Sequence, residues 1–363
     1  MAANRSRARA LSTAGTLARG TSGANASADD GLGRRHHSGW WHHRRVIVPE
    51  PALAPDAIRS ARDGIDRVFL DSPQFVHDGL SARLGVSVIV KVETVNPIRS
   101  FKGRGTWVAV GALAGEGRIG PERPIACVSA GNFGQGVAYA ARALRIPAIV
   151  FTSVHANPRK VERMRALGAD VIAVGEDFDT ARAASETYAY ENQVELLVDG
   201  EDPRIAAGAA TLALEVTDAV AAGVLPAPVF ASIPVGNGAL INRVGSWLRA
   251  TAPGCRVVGI QAERAAAMTR SFEAGRAIDT DTADTYADGI ATRVAIPRAV
   301  TLMAGRVDEM RTVTEGALHE GQTVLTDELG ITVEGAAAAT WAGLIAGPRP
   351  DGPVLVVITG SNT

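Results

Sequence analysis

The stretch PIACVSAGNFGQGVAYAARAL, residues 124–144, decides the fold class. Ile125-Ala126-Cys127-Val128 is a short apolar run, Ser129 to Gly136 is built from small residues, and Val137 onward is an Ala-rich amphipathic segment. That order predicts a strand, a tight turn and a helix. Working outward, the same kind of apolar run recurs at residues 86–93, 147–153, 170–175, 229–235, 255–262 and 353–360, alternating with helix-like stretches. Such alternation is the signature of an α/β fold with mostly parallel sheets flanked by helices. Ligands of such sheets sit beyond the carboxyl ends of the strands, so the strand-to-helix turns are where chemistry is expected.

Composition narrows the classes. A chain of 363 residues has ample apolar content for a large core. Its 37 Lys plus Arg against 38 Asp plus Glu leave no excess charge for a polyanion, so nucleic acid is not an expected partner. Two cysteines, Cys127 and Cys255, form no CxxC pair and no disulfide framework, which fits a reducing, cytoplasmic compartment. Residues 1–45 are rich in Ala, Ser, Gly and Arg and lack apolar periodicity, which predicts a disordered tail. An Arg- and Ser-rich, acid-poor start also describes an organelle transit peptide, but it contains no secretory or membrane-spanning run. The pairs His36-His37 and His42-His43 in that tail are read as solvated rather than metal-binding.

Three turns carry candidate chemistry. The first, Thr94 to Gly105, delivers Lys102 to the start of the helix-like run TWVAVGALAG. The positive end of a helix dipole favours a neutral, nucleophilic amine there. Only three lysines, Lys91, Lys102 and Lys160, stand against 34 arginines, so this sequence writes Arg wherever positive charge suffices. A lysine kept at such a turn points to what only a primary amine does, formation of an imine with a carbonyl. Lys91, inside a strand, and Lys160, in the charged run PRKVERMR, are read as ordinary surface lysines. The second turn, Ser129-Ala130-Gly131-Asn132-Phe133-Gly134-Gln135-Gly136, suits a carboxylate held by converging backbone N–H groups, with the Asn132 amide adding a side-chain partner. In the third, Gly236-Asn237-Gly238-Ala239-Leu240, the glycines permit close backbone approach to a phosphate at a helix start.

SFKGRG around Lys102, SAGNFGQG, PVGNGAL and the terminal VVITGSN, in that order, resemble the fold-type II pyridoxal-phosphate (PLP) enzymes of the tryptophan synthase beta-like superfamily. Within these the chain looks most like the serine/threonine dehydratase (threonine ammonia-lyase) group, over roughly residues 46–363. The resemblance implies that Lys102 carries the cofactor as a Schiff base and, once freed, removes the substrate Cα proton. It implies that Asn132 bonds the cofactor's 3′-oxygen, that Gly236, Asn237, Gly238, Ala239 and Leu240 wrap its phosphate, and that Thr359 meets the pyridine nitrogen. Ser129, Ala130, Gly131 and Asn132 would take the substrate carboxylate. A neutral hydroxyl at Thr359 makes the ring a milder electron sink, which suits β-elimination. The implied activity is dehydration and deamination of a β-hydroxy amino acid such as threonine or serine to a 2-oxo acid and ammonia.

This sequence departs from the group's pattern in several places. Phe133 stands where the dehydratases usually have His, Asn237 interrupts the glycine tetrad in a way that also resembles threonine synthases, and Ala130 lies where serine racemases carry Ser. The group's divalent-cation ligands align with Gln261, Ala265 and Ala267, so no metal site is expected. The sequence stops after the pyridine-contacting turn, so feedback regulation through a C-terminal domain is not expected. A β- or γ-replacement synthase of the threonine- or cysteine-synthase kind shares every cofactor residue and is the alternative activity; a non-catalytic scaffold would not need Lys102. Asp288 and Glu334 match stretches of the group, which implies that Asp288 lines the entrance and Glu334 the pyridine side, with a structural ion pair or helix cap as the alternative for each. The implied architecture is a large domain from 46–80 and 191–363, a small mobile domain from 81–190, and a homodimeric assembly.

Overall fold

In the computed structural model, which describes residues 54–363, each of these apolar runs forms a strand, and the strands divide between two sheets. The larger runs in the order β1 (Gln74–Val76), β2 (Val88–Val92), β10 (Val354–Ile358), β7 (Phe230–Pro234), β8 (Arg256–Ala262) and β9 (Glu309–Val313). Only the β1–β2 pair is antiparallel. The smaller sheet, β5 (Asp170–Ala173), β4 (Ala148–Thr152), β3 (Ile125–Val128) and β6 (Glu195–Leu197), is wholly parallel. The expected α/β class with parallel sheets flanked by helices is what the chain adopts.

Every residue of β2, β7 and β10 is buried, because helices cover both faces of the large sheet. Alternate side chains feed two cores. Ile89, Leu355 and Val357 pack with Trp247 and the helices Pro203–Ala221 and Ala239–Thr251. Val88, Val90, Val92, Val354, Val356 and Ile358 pack with Trp341 and the helices Glu315–Leu329 and Gly335–Ile345. The small sheet has its own core, in which Val137 and Ala141 of the helix Asn132–Ala143 meet Ile125, Cys127 and Val150.

Several expectations are corrected. Lys91 is fully buried rather than exposed, because β2 lies inside the sheet and its amine reaches Glu215 Oε2 at 2.5 Å and the Ser72 carbonyl at 3.0 Å. Lys160 is also buried, 4% exposed, with its amine on Asp288. β2 falls in the range assigned to the small domain but pairs along its length with β10, from Val88 opposite Val354 to Val92 opposite Ile358. Conversely, β6 falls in the range assigned to the large domain but pairs with β3. The reading of residues 1–45, including the histidine pairs, lies outside the described residues. No helix among the described residues is long and apolar enough to cross a membrane.

Candidate functional site

Sheet order builds the site. β2, β10 and β7 are adjacent parallel strands, so the turns beyond their carboxyl ends lie side by side. Those turns carry Lys102, Thr359 and Gly236 to Leu240, residues far apart in sequence. Backbone bonds stitch the first two together. Phe101 N donates to the Thr359 carbonyl at 3.1 Å, and Ser361 N to the Arg99 carbonyl at 3.0 Å.

Asn96 shapes the turn that delivers the lysine. Its side-chain oxygen accepts from Ile98 N at 3.1 Å and Ser100 N at 3.4 Å, while its amide donates to the Glu93 carbonyl at 2.9 Å. Lys102 is then the first residue of the helix Lys102–Gly115, the helix start expected of it. Its Nζ donates to Asp199 Oδ2 at 2.6 Å and lies 4.9 Å from the Phe101 ring centroid. Below it, Arg104 is fully buried and pairs with Glu93 at 2.8 Å and Glu215 at 2.7 Å, which anchors the first turn of the helix to β2 and to Pro203–Ala221.

In the turn after β7, Gly238 has φ +86°, a left-handed backbone that a side chain would strain. A Cβ on Gly236 would stand 2.6 Å from the Gly289 carbonyl oxygen, so this turn has room for backbone alone. Asn237 Oδ1 accepts from Ala239 N at 3.0 Å, and Asn237 Nδ2 donates to the Asp199 carbonyl at 3.4 Å. Ala239 and Leu240 open the helix Ala239–Thr251 and are buried. The result is a pocket of helix N–H donors lined by glycine, the form that takes an anionic oxygen cluster.

The turn after β3 belongs to the other sheet yet reaches the same place. Ser129 is buried and its hydroxyl accepts from Gly131 N at 3.0 Å and Gly134 N at 2.8 Å, so it holds the turn's shape. Gly131 sits against Lys160, whose Cδ would stand 2.5 Å from any added Cβ, and Ala130 is half-buried beside it. Asn132 Nδ2 donates to both Glu334 oxygens, at 2.9 and 3.1 Å, and Asn132 Oδ1 accepts from Asn362 Nδ2 at 2.7 Å. Phe133 is buried, with its ring centroid 6.0 Å from Lys102 Nζ. Thr359 is buried at the end of β10.

Glu334 does more than a helix cap would. It precedes the helix Gly335–Ile345 without a capping side-chain bond, and its buried carboxylate also accepts from Asn362 N at 3.3 Å. Burial pushes its pKa upward against the opposing pull of Lys160 and Asn132. Asp288 is the Lys160 partner, 41% exposed. Gln261, aligned with a cation ligand, instead accepts from Thr269 N at 2.8 Å, and the other two aligned positions are the buried, apolar Ala265 and Ala267.

A cleft beside Lys102 is lined by Phe101, Asp199, Asp202, Ala239 and Arg243 among others. Its chemistry suits PLP: an amine, an apolar ring face from Phe101, the helix start at Ala239 that follows the glycine turn, and two buried atoms without partners, Asp199 Oδ1 and Arg243 Nε. Asp199, Arg243, Glu334 and Lys160 were not among the expected site residues. Apart from Glu334, which lies in a stretch that matches the resembled group, their only sequence signal is charge near an apolar segment, which many surface residues share.

Comparison with known proteins agrees with the geometry. L-threonine ammonia-lyase from Thermotoga maritima is 32% identical over 284 residues, 78% of this chain and 69% of that protein. A biosynthetic L-threonine dehydratase from Lactococcus lactis is 27% identical over 80% of this chain and 70% of that protein. The crystal structure of a T.th. threonine deaminase superposes with a TM-score of 0.77 at 28% identity, covering 85% of this chain and 98% of that one. The description "Pyridoxal-phosphate dependent enzyme" fits residues 65–360, and the chain belongs to that family of pyridoxal-phosphate-dependent enzymes.

Proposed function

We propose that this PLP-dependent lyase removes water and ammonia from a β-hydroxy amino acid, L-threonine or L-serine, leaving the 2-oxo acid. The supporting observation is that Lys102, Thr359 and the turn 236–240 follow three adjacent parallel strands, while Asn132 of the turn after β3 bonds Asn362 beyond Thr359. When bound, the cofactor supplies an electron sink for the bond broken at Cα. Lys102 holds the cofactor carbonyl in the resting enzyme and takes up the Cα proton during turnover. Asp199, bonded to Lys102 Nζ, positions that amine. Gly236, Asn237, Gly238, Ala239 and Leu240 would hold the phosphate, Thr359 would offer its hydroxyl to the ring nitrogen, and Asn132, held by Glu334 and Asn362, would supply an amide to the phenolic oxygen. Ser129, Ala130, Gly131 and Asn132 hold the substrate carboxylate at the N-terminus of their helix. Phe133 keeps water from the reacting face.

The half of the chain built on the small sheet is the part that closes over substrate. Support comes from links between the halves: Lys160 with Asp288, Asn132 with Glu334, and Arg293 with Asp179. Cytoplasmic location, homodimeric assembly, and the absence of membrane and nucleic-acid partners complete the reading. They rest on the cysteine usage, the near-zero net charge and the family's habit, and size-exclusion chromatography tests the dimer.

The test is spectroscopic. Purified protein loaded with PLP should absorb at roughly 410–420 nm as a lysine–PLP imine does, and Lys102→Ala should lose the band. Addition of L-threonine or L-serine should change the band and release ammonia with a 2-oxo acid. Turnover only with an added nucleophile, without ammonia, would replace elimination by the synthase reaction.

A further inference from the structure

Among the described residues the buried cations nearest the site are matched: Lys91 with Glu215, Arg104 with Glu93 and Glu215, and Lys160 with Asp288. Arg243 is not. It is 5% exposed, its Nε is buried without a hydrogen-bond partner, and it makes no ion pair with any described carboxylate. Burial, with the like charges of Arg298 and Arg306, pushes its pKa down to about 10. A buried guanidinium among like charges is costly unless an anion is brought to it.

Its position says where that anion comes from. Arg243 lies one helical turn beyond Ala239, on the same face of Ala239–Thr251, and both border the cleft that holds Lys102. Arg243 therefore lies near the N-terminal turn of this helix, whose opening N–H groups have no carbonyl partner within the helix, that of Ala239 being bonded to the Asn237 side chain. Two carboxylates also line the cleft: Asp202 binds Arg204 at 2.7 Å, and Asp199 binds Lys102 at 2.6 Å through Oδ2 while its Oδ1 is buried without a partner; neither pairs with Arg243. Arg243 is the unmatched charge.

We propose that Arg243 is a ligand of the cofactor phosphate, adding a charged two-pronged donor to the backbone cradle of Gly236 to Leu240. The assignment rests on the reading of this cleft as the PLP site. The carbonyl and phosphate arms of PLP leave neighbouring ring carbons, so one cleft receives both, Lys102 meeting the first and Arg243 the second. A planar guanidinium fork matches phosphate oxygens better than a lone N–H does. The glycine turn alone marks where a phosphate can approach; Arg243 supplies the opposite charge that a dianion selects.

The experiment compares PLP with pyridoxal, which has the carbonyl and lacks the phosphate. Cofactor-free wild type, Arg243→Met and Arg243→Lys are titrated with each, reading tryptophan fluorescence and imine absorbance. Arg243→Met should bind PLP roughly 10- to 100-fold more weakly and pyridoxal within about twofold of wild type, with Arg243→Lys between. In parallel, inorganic phosphate should raise the Tm of cofactor-free wild type and of Lys102→Ala, but not of Arg243→Met. Equal losses for PLP and pyridoxal, or unchanged PLP affinity in Arg243→Met, would overturn the assignment. If wild type forms no imine with either compound, the reading of Lys102 fails, while the phosphate shift still decides Arg243.

Discussion

Arg104→Met is the substitution with the largest calculable effect on the fold. Arg104 is fully buried and bonds Glu93 Oε1 and Oε2, Glu215 Oε1 and Oε2, Thr211 and Ser72, all between 2.7 and 3.1 Å. With Lys91 on Glu215, two cations face two carboxylates and the group is neutral. Methionine keeps the volume and leaves one negative charge uncompensated, which costs about 3–5 kcal/mol. At about 2 °C per kcal/mol for a domain this large, the Tm should fall by roughly 6–10 °C. Urea unfolding followed by the fluorescence of Trp247, itself buried against the same helices, measures the change. The double variant Arg104→Met/Glu215→Gln removes one charge of each sign and should be more stable than the sum of the singles by about 1–3 kcal/mol. A loss below about 0.5 kcal/mol for Arg104→Met, or simple additivity in the double variant, would refute the reasoning. Because Arg104 is two residues beyond Lys102, the same variant should bind PLP more weakly even where it is folded.

Gly236→Ala places a methyl group 2.6 Å from the backbone oxygen of Gly289, which has no side-chain freedom to yield, so about 1–3 kcal/mol of overpacking is expected. Weaker cofactor affinity with little change for a surface Gly254→Ala control checks it. Glu334 has a pKa raised by burial, so the folded chain binds its proton more tightly than the unfolded one does. Its contribution is present below the unfolded carboxylate value of about 4.3 and is lost as pH rises. The stability of wild type minus that of Glu334→Gln should therefore fall from pH 4 upward, measured by denaturation without cofactor; a rise would overturn the sign. Burial raises the pKa of both thiols, that of Cys255 up to about 12, so neither should react with a thiol reagent at pH 8 until the chain is unfolded. Labelling of native protein within seconds would count against the packing described.

Most strands legible in the sequence lie in sheet interiors, where burial on both faces leaves an unbroken apolar run; β5, an edge strand, is legible because its Val171-Ile172-Ala173-Val174 run is apolar nonetheless. β1, β6 and β9 were missed, and each is an edge strand. Their residues are only partly buried, as in Glu309-Met310-Arg311-Thr312-Val313, so neither a continuous run nor a clean alternation marks them. The site followed a similar rule. Lys102 and the glycine turns are visible because a small-residue turn after an apolar run is a local pattern. Asp199, Glu334 and the role of Lys160 depend on partners 97, 202 and 128 residues away, which no local pattern carries. Lys91 was misread because its environment is set by β10 and Glu215, both distant in sequence.

The edge strands have a further consequence, for behaviour at high concentration. β1 and β6 are three residues long, and β9 carries Arg311 and Glu309 bonded to each other at 2.5 Å, with Arg256 on Glu309 at 2.6 Å. A stray extended chain seeking to add itself to the large sheet at β9 would meet that charge cluster. Edges this short or this charged offer a poor template for fibre growth, so the large sheet is guarded at both ends and the small sheet at β6.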